Sequence, residues 1–297
     1  MEEISEFDKL KDNLEIYEKK LLNKQFLIIF SDMENKKLKQ MMKNNSKNLK
    51  ELKAIEIIFK KENFPHLAGI KKISYEKLKM SSKEFYDKLL VGEIEEKDCY
   101  FSTFRTLKNS VFTELPNIFR TISVLGDYDF HKEKLNIEKV IGNTKKIPEG
   151  VLGIVEDKKN KNYFDRYIPV SLLNAVTEDL ILKNSQRRII FILEKMSYEE
   201  RYTKLLFKHK DFLLDNLYNN EQFFKCLSND LKDKIRNDIG INIKEQKKIE
   251  VNKKKELKPR ENTEEKVKVV EKIKSEKEKP KREKRSRIRS KSKENGR

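Results

Sequence analysis

The sequence predicts an α+β fold, an antiparallel sheet of about four to six strands with packed helices, followed by a disordered basic tail. Three observations carry this reading. Amphipathic helical spacings recur through the first 125 residues, and short β-branched and aromatic runs punctuated by Gly, Pro and Asn fill residues 138–193. Beyond Gly240 the apolar content collapses: residues 244–297 contain eight aliphatic side chains and no aromatic, too little to offset the entropy of ordering. The expected organisation is one domain over residues 1–243 and a tail over 244–297.

Phe7, Leu10, Leu14, Tyr17 and Leu21 recur at three- and four-residue intervals, which predicts a helix over residues 4–22. Residues 25–30 have strand length. The Lys/Asn-rich stretch 35–52 reads as a loop or a poor helix. Residues 54–60 (AIEIIFK) read as a buried strand running into NFPHLAGI, residues 63–70, where Pro65 and Gly69 argue against regular helix. A short turn at 74–79 precedes a helix capped by the Ser81-Ser82 pair and running through Leu90. Further helices are expected over 98–113 and over 115–125, the latter with Pro116 in its first turn. Strands follow at 138–141, 150–156 and 163–169, linked as antiparallel hairpins, then one helical turn at 170–177 and a last strand at 188–193. Helices over 198–207 and 211–235 close the core.

Charge is unevenly placed. The chain has 68 Lys+Arg against 50 Asp+Glu, a net +18. Residues 244–297 hold 23 and 11 of these, so they carry most of the excess. Such a surplus favours a polyanion, and RNA or another nucleic acid is the expected partner, held in a core cleft and by the tail. Two other readings stay open on the same charge: a non-catalytic nucleic-acid-binding protein, or an interaction protein whose tail meets an acidic partner or an anionic membrane. Cys99 and Cys226 have no Cys or His at metal-ligand spacing, and so sparse a count suits a reducing, cytoplasmic compartment. The N-terminus lacks a signal-peptide pattern, and apolar runs reach about five residues where a bilayer span needs about twenty.

There is no P-loop, GxGxxG, GxSxG or HExxH motif, and the residues assign no metal and no cofactor. Cleavage of RNA needs neither, because the 2′-hydroxyl is the nucleophile and a base, an acid and a cation at the phosphate complete the chemistry. Of the three histidines, His131 lies in a polar turn and His209 at an expected helix end, both structural or merely exposed positions. His66 lies in the distinctive NFPHLAGI segment.

NFPHLAGI after a strand, Gly142-Asn143-Thr144, YIPVSLL (residues 167–173) and IFILEK (residues 190–195) together resemble one family. It is the phage- and mobile-element-associated branch of the Barnase–EndoU–colicin–RelE-like nuclease superfamily, matched over roughly residues 24–207. The resemblance implies an antiparallel sheet preceded by helices, metal-independent RNA cleavage, and an immunity protein as a class of partner. It makes His66 the general base or acid. Ser171 becomes a phosphate ligand or else the cap of a short helix. Lys195 is the expected cation offsetting phosphorane charge or else a solvated strand-end lysine, Tyr202 a hydrogen-bond donor or a packing residue, and Arg105 a further cation or else a side chain without a site role. No second histidine stands near an expected strand, so the partner of His66 has to be Lys, Tyr or a carboxylate.

Overall fold

The computed structural model describes residues 4–31, 52–131, 134–159 and 163–240. Eight strands form the framework: β1 (Lys24–Ser31), β2 (Leu52–Ile58), β3 (Ser123–Asp127), β4 (Lys139–Asn143), β5 (Glu149–Glu156), β6 (Asp165–Ala175), β7 (Arg187–Met196) and β8 (Lys204–Lys208). Their order is β1-β2-β6-β5-β4-β3-β7-β8, and β1 also pairs with β7. Strands β1 to β7 therefore close into a barrel, and β8 lies outside it as an added strand on β7. Every pairing is antiparallel except β2 with β6, which is parallel.

This corrects the expected antiparallel sheet of four to six strands. Closure comes from β1 meeting β7, partners 157 to 172 positions apart in sequence, as Ile28 opposite Ile192 illustrates. Local alternation carries no signal for so distant a pairing. Two strands were also hidden. The expected helix at 115–125 splits into a 3-10 turn (Leu115–Phe119) and β3. A Cβ on Gly126 would stand 2.5 Å from the Ile181 side chain, so this glycine lets residue 181 pack flat on β3. The expected helix at 198–207 contains β8, where Leu205 joins one core cluster and Leu206 and Phe207 another, leaving no clean alternation to read.

The helices are α1 (Glu6–Lys20), α2 (Phe64–Leu67), α3 (Lys72–Lys77), α4 (Ser82–Leu90), α5 (Arg105–Phe112), α6 (Thr177–Leu180), α7 (Leu214–Tyr218), α8 (Glu221–Lys225) and α9 over residues 229–240. The Ser5 and Ser81 side chains accept the N-terminal amides of α1 and α4. The turn expected at 74–79 is the helix α3. The turn expected at 170–177 is mostly strand, since β6 continues to Ala175 before α6 begins. The helix expected at 98–113 shortens to α5, and that expected at 211–235 is three separate pieces. Residues 32–51 and 244–297 lie outside the described residues, and with them most of the 35–52 stretch and the whole tail. Met1–Ile239 forms one compact unit.

The pleat sorts the core. One face of the strands contributes Phe26, Ile28, Ile55, Ile57, Ile141 and Leu152 to the largest cluster, which α1 enters with Phe7, Leu10, Leu14 and Tyr17. The opposite faces of β1 and β7 meet Phe212, Leu217, Phe223 and Leu231 of the C-terminal helices and the turn before them. Val124, Val140 and Val151 meet Leu180 and Ile181.

Two joints in the barrel are thin. The register between β2 and β6 covers three residues, and that between β3 and β7 covers two. Each is pinned by an arginine. At the first, Arg166 stands opposite Glu56 and grips its carboxylate with Nε and a terminal nitrogen, both at 2.9 Å. At the second, both terminal nitrogens of Arg187 reach Asp127 Oδ2 at 3.1 Å.

Candidate nucleic-acid site

NFPHLAGI folds into α2 and its exit. Phe64 is buried among Tyr17, Tyr86 and Phe112, with Pro65 in the first turn, where a missing N–H costs little. The regular helix that Pro65 and Gly69 argued against is thus a single turn. Gly69 ends it at φ +79°, with Gly69 N–H donating to the His66 carbonyl and Ile70 N–H to the Pro65 carbonyl. The amide of buried Asn63 donates to the Pro169 carbonyl, which ties this segment to β6.

His66 projects outward on this turn. Its Nε2 lies 3.5 Å from the Tyr75 hydroxyl, and the Lys108 ammonium donates to its backbone carbonyl at 2.9 Å. Burial of the ring edge, followed by the charges of Lys108 and Lys72, holds its pKa below the ordinary histidine value. Burial raises the Tyr75 pKa, so that phenol keeps its proton, and lowers that of Lys108.

Lys108 also lines a cavity of about 310 Å³ with Ser102, Ser171, Asn174, Phe104 and Leu107. The Ser102 hydroxyl and the Asn174 Oδ1 are buried there without a hydrogen-bond partner among the described residues. Gly69 makes this joint possible: a Cβ on it would come within 3.3 Å of the Lys108 Cδ and the Ser102 hydroxyl. A larger hollow of about 530 Å³ lies elsewhere, beside Arg120, Asn143 and Lys145. It contains no histidine, and its lysine is already paired with Glu149 at 2.7 Å.

Of the five site residues read from sequence, His66 and Ser171 gather around Lys108, and Arg105 lies three residues before it on α5. Ser171 sits within β6 opposite Gly153, so it caps no helix and faces the cavity instead. Arg105 is occupied, 3.7 Å from Glu6 and over the Phe101 ring, and braces α5 against α1. Lys195 and Tyr202 lie on the wall facing the C-terminal helices. There the Tyr202 hydroxyl donates to Glu56 at 2.7 Å, and the Lys195 ammonium sits 5.0 Å from the Tyr202 ring and 4.0 Å from Glu56. They belong to the β2–β6 joint, grouped on Glu56.

His209 follows a strand rather than a helix, and its Nδ1 accepts from the Asp211 amide at 3.2 Å. The backbone N–H of His131 donates to Asp129 in an exposed turn. Burial pushes the Cys99 thiol up to about 12, so it offers no thiolate. Sequence reasoning missed Lys108, Tyr75, Ser102 and Asn174. Lys108 stands three residues after Arg105, but among so many lysines its role had no separate signal.

Among the described residues no group of three or more His, Cys, Asp or Glu side chains is placed to hold a metal ion, and no helix is long and apolar enough to cross a membrane. No curated protein and no solved structure matches the chain. Residues 9–211 match the sequence model of a family described as phage-Barnase-EndoU-ColicinE5/D-RelE like nuclease 4. That span includes the barrel, α2 and α5, and it brings with it the general expectation of a nucleic-acid substrate; the chain belongs to this phage-associated nuclease family.

Proposed function

We propose that the protein is an endoribonuclease that cleaves RNA by attack of a 2′-hydroxyl on the adjacent phosphate, without a metal. The observation that supports this best is His66, held below its ordinary pKa beside a lysine that also lines a cavity with unsatisfied polar atoms. A histidine largely neutral at physiological pH is poised to accept the 2′-hydroxyl proton. As the 2′-oxygen bonds to phosphorus, the bond to the 5′-oxygen breaks, leaving a 2′,3′-cyclic phosphate and a 5′-hydroxyl. Lys108 offsets the charge on the phosphorane, the role first assigned to Lys195, and also supplies the proton to the leaving oxygen. Its lowered pKa makes that transfer easier. Tyr75 orients the imidazole through its hydroxyl, and Ser171 donates to a phosphate oxygen. The basic residues 244–297 add phosphate contacts that displace counterions.

The test is purified protein with single-stranded RNA in excess chelator. Cleavage with cyclic-phosphate ends is expected, and His66→Ala is expected to lose about 10²- to 10⁴-fold in rate with its melting temperature retained. Cleavage that stops in chelator, or survives His66→Ala, overturns the mechanism. Tight RNA binding with no cleavage would favour the silent binding protein.

A further inference from the structure

The cavity beside Lys108 has a feature that the chemistry above leaves unused. Phe104, at the start of α5, is 64% exposed at its mouth, and Leu107 one turn on is 50% exposed. A bare phenyl ring next to a hollow has apolar area left uncovered by the protein. The hollow itself is mixed: Leu107, Leu135 and Leu173 provide apolar wall, while Ser102 and Asn174 line it with their two unpaired oxygens buried just beneath its surface. A flat ring with hydrogen-bonding groups on its edge suits this combination, because a face meets Phe104 and an edge N–H satisfies the Asn174 Oδ1 once that carboxamide turns toward the hollow. The flanking charge fixes the class of molecule. Lys108 is on the cavity wall, and Lys72 acts with it on the His66 ring next door.

We infer that Phe104 is a stacking platform for one nucleobase of a single-stranded nucleic acid, whose base edge enters the Ser102–Asn174 cavity while its phosphate passes Lys108 and His66. Stacking on an aromatic ring tolerates every base, so Phe104 supplies affinity and the Asn174 carboxamide supplies preference for a base with an N–H donor on that edge. The inference rests on the nuclease reading for its choice of ligand. It has its own readout, however, because stacking needs no cleavage.

The chain contains no tryptophan, so Phe104→Trp installs a single indole at the platform. The probe is a 2′-O-methyl oligoribonucleotide, which lacks the attacking hydroxyl, compared with an abasic strand of the same length and charge. The Phe104→Trp emission is expected to be quenched by the intact strand and not by the abasic one, also when His66→Ala is present. Phe104→Ala is expected to weaken the intact strand roughly 10- to 100-fold and the abasic strand little, while Lys108→Ala weakens both. Equal response to the two strands, or no response to either, overturns the platform. An intact quench without any RNA cleavage would instead sink the catalytic reading and leave the platform standing.

Discussion

At the scale of single residues, the pKa of His66 links site geometry to a measurable profile. Its protonated form is disfavoured first by burial and then by Lys108 and Lys72. The base therefore stays active below the ordinary 6.5, and the acid limb of the rate profile is expected to lie under that value. Lys108→Met removes one of the opposing charges, so the limb is expected to move upward, read from kcat/KM between pH 4 and 8. A limb that stays put would mean that burial and Lys72 set the shift without Lys108. The sign for stability is the same. The unfolded chain binds this proton more readily than the folded one, so the contribution of His66 is full above 6.5 and falls away as the pH drops toward its lowered native value. The segment around this histidine was legible because FPHLAG is unusual in itself. The grouping of His66 with Lys195 was not, because sequence distance does not say which wall of a closed barrel a side chain faces.

At the scale of elements, the exit of α2 decides where α5 sits. Gly69 combines a left-handed backbone with a tight approach, where an added methyl group would stand 3.3 Å from Lys108 and Ser102 and 3.4 Å from the backbone of Arg105. Gly69→Ala is expected to cost about 1–2 kcal/mol in urea unfolding and to push Lys108 away from the His66 carbonyl, lowering cleavage more than stability explains. Wild-type activity in that variant would show that the close approach is not needed. Elements whose signals are local were readable: α1 by its spacing, α4 by its cap, and β1, β2, β5 and β7 by apolar runs. The strands β3 and β8 were not, since one contains a glycine fitted to a distant isoleucine and the other divides its side chains between two clusters.

At the scale of the whole molecule, the two thin joints divide the barrel into a four-strand meander, β3 to β6, and a second leaf made of β1, β2, β7 and β8. Glu56 is the keystone of the first joint, meeting Arg166, Tyr202 and Lys195 in a nearly dry setting. Glu56→Ala leaves those donors without their carboxylate and is expected to cost about 3–5 kcal/mol, measured by urea unfolding. A loss under about 1 kcal/mol would show that backbone pairing alone holds the joint.

The two leaves also differ in when they become possible. The meander is contiguous, residues 123–175, and its neighbours in space are its neighbours in the chain. The other leaf needs β1 to wait for β7, and β7 ends at Met196. A ribosome emits the chain from the N-terminus at about 5–20 residues per second, so β1 and β2 stand as an unpartnered apolar pair for roughly 7–30 seconds before β7 emerges. For most of that interval β2 also lacks β6, the strand that carries Ser171. A nascent chain of this fold is therefore sticky before it is closed, and its proposed cutting site is incomplete until most of the barrel has been synthesised.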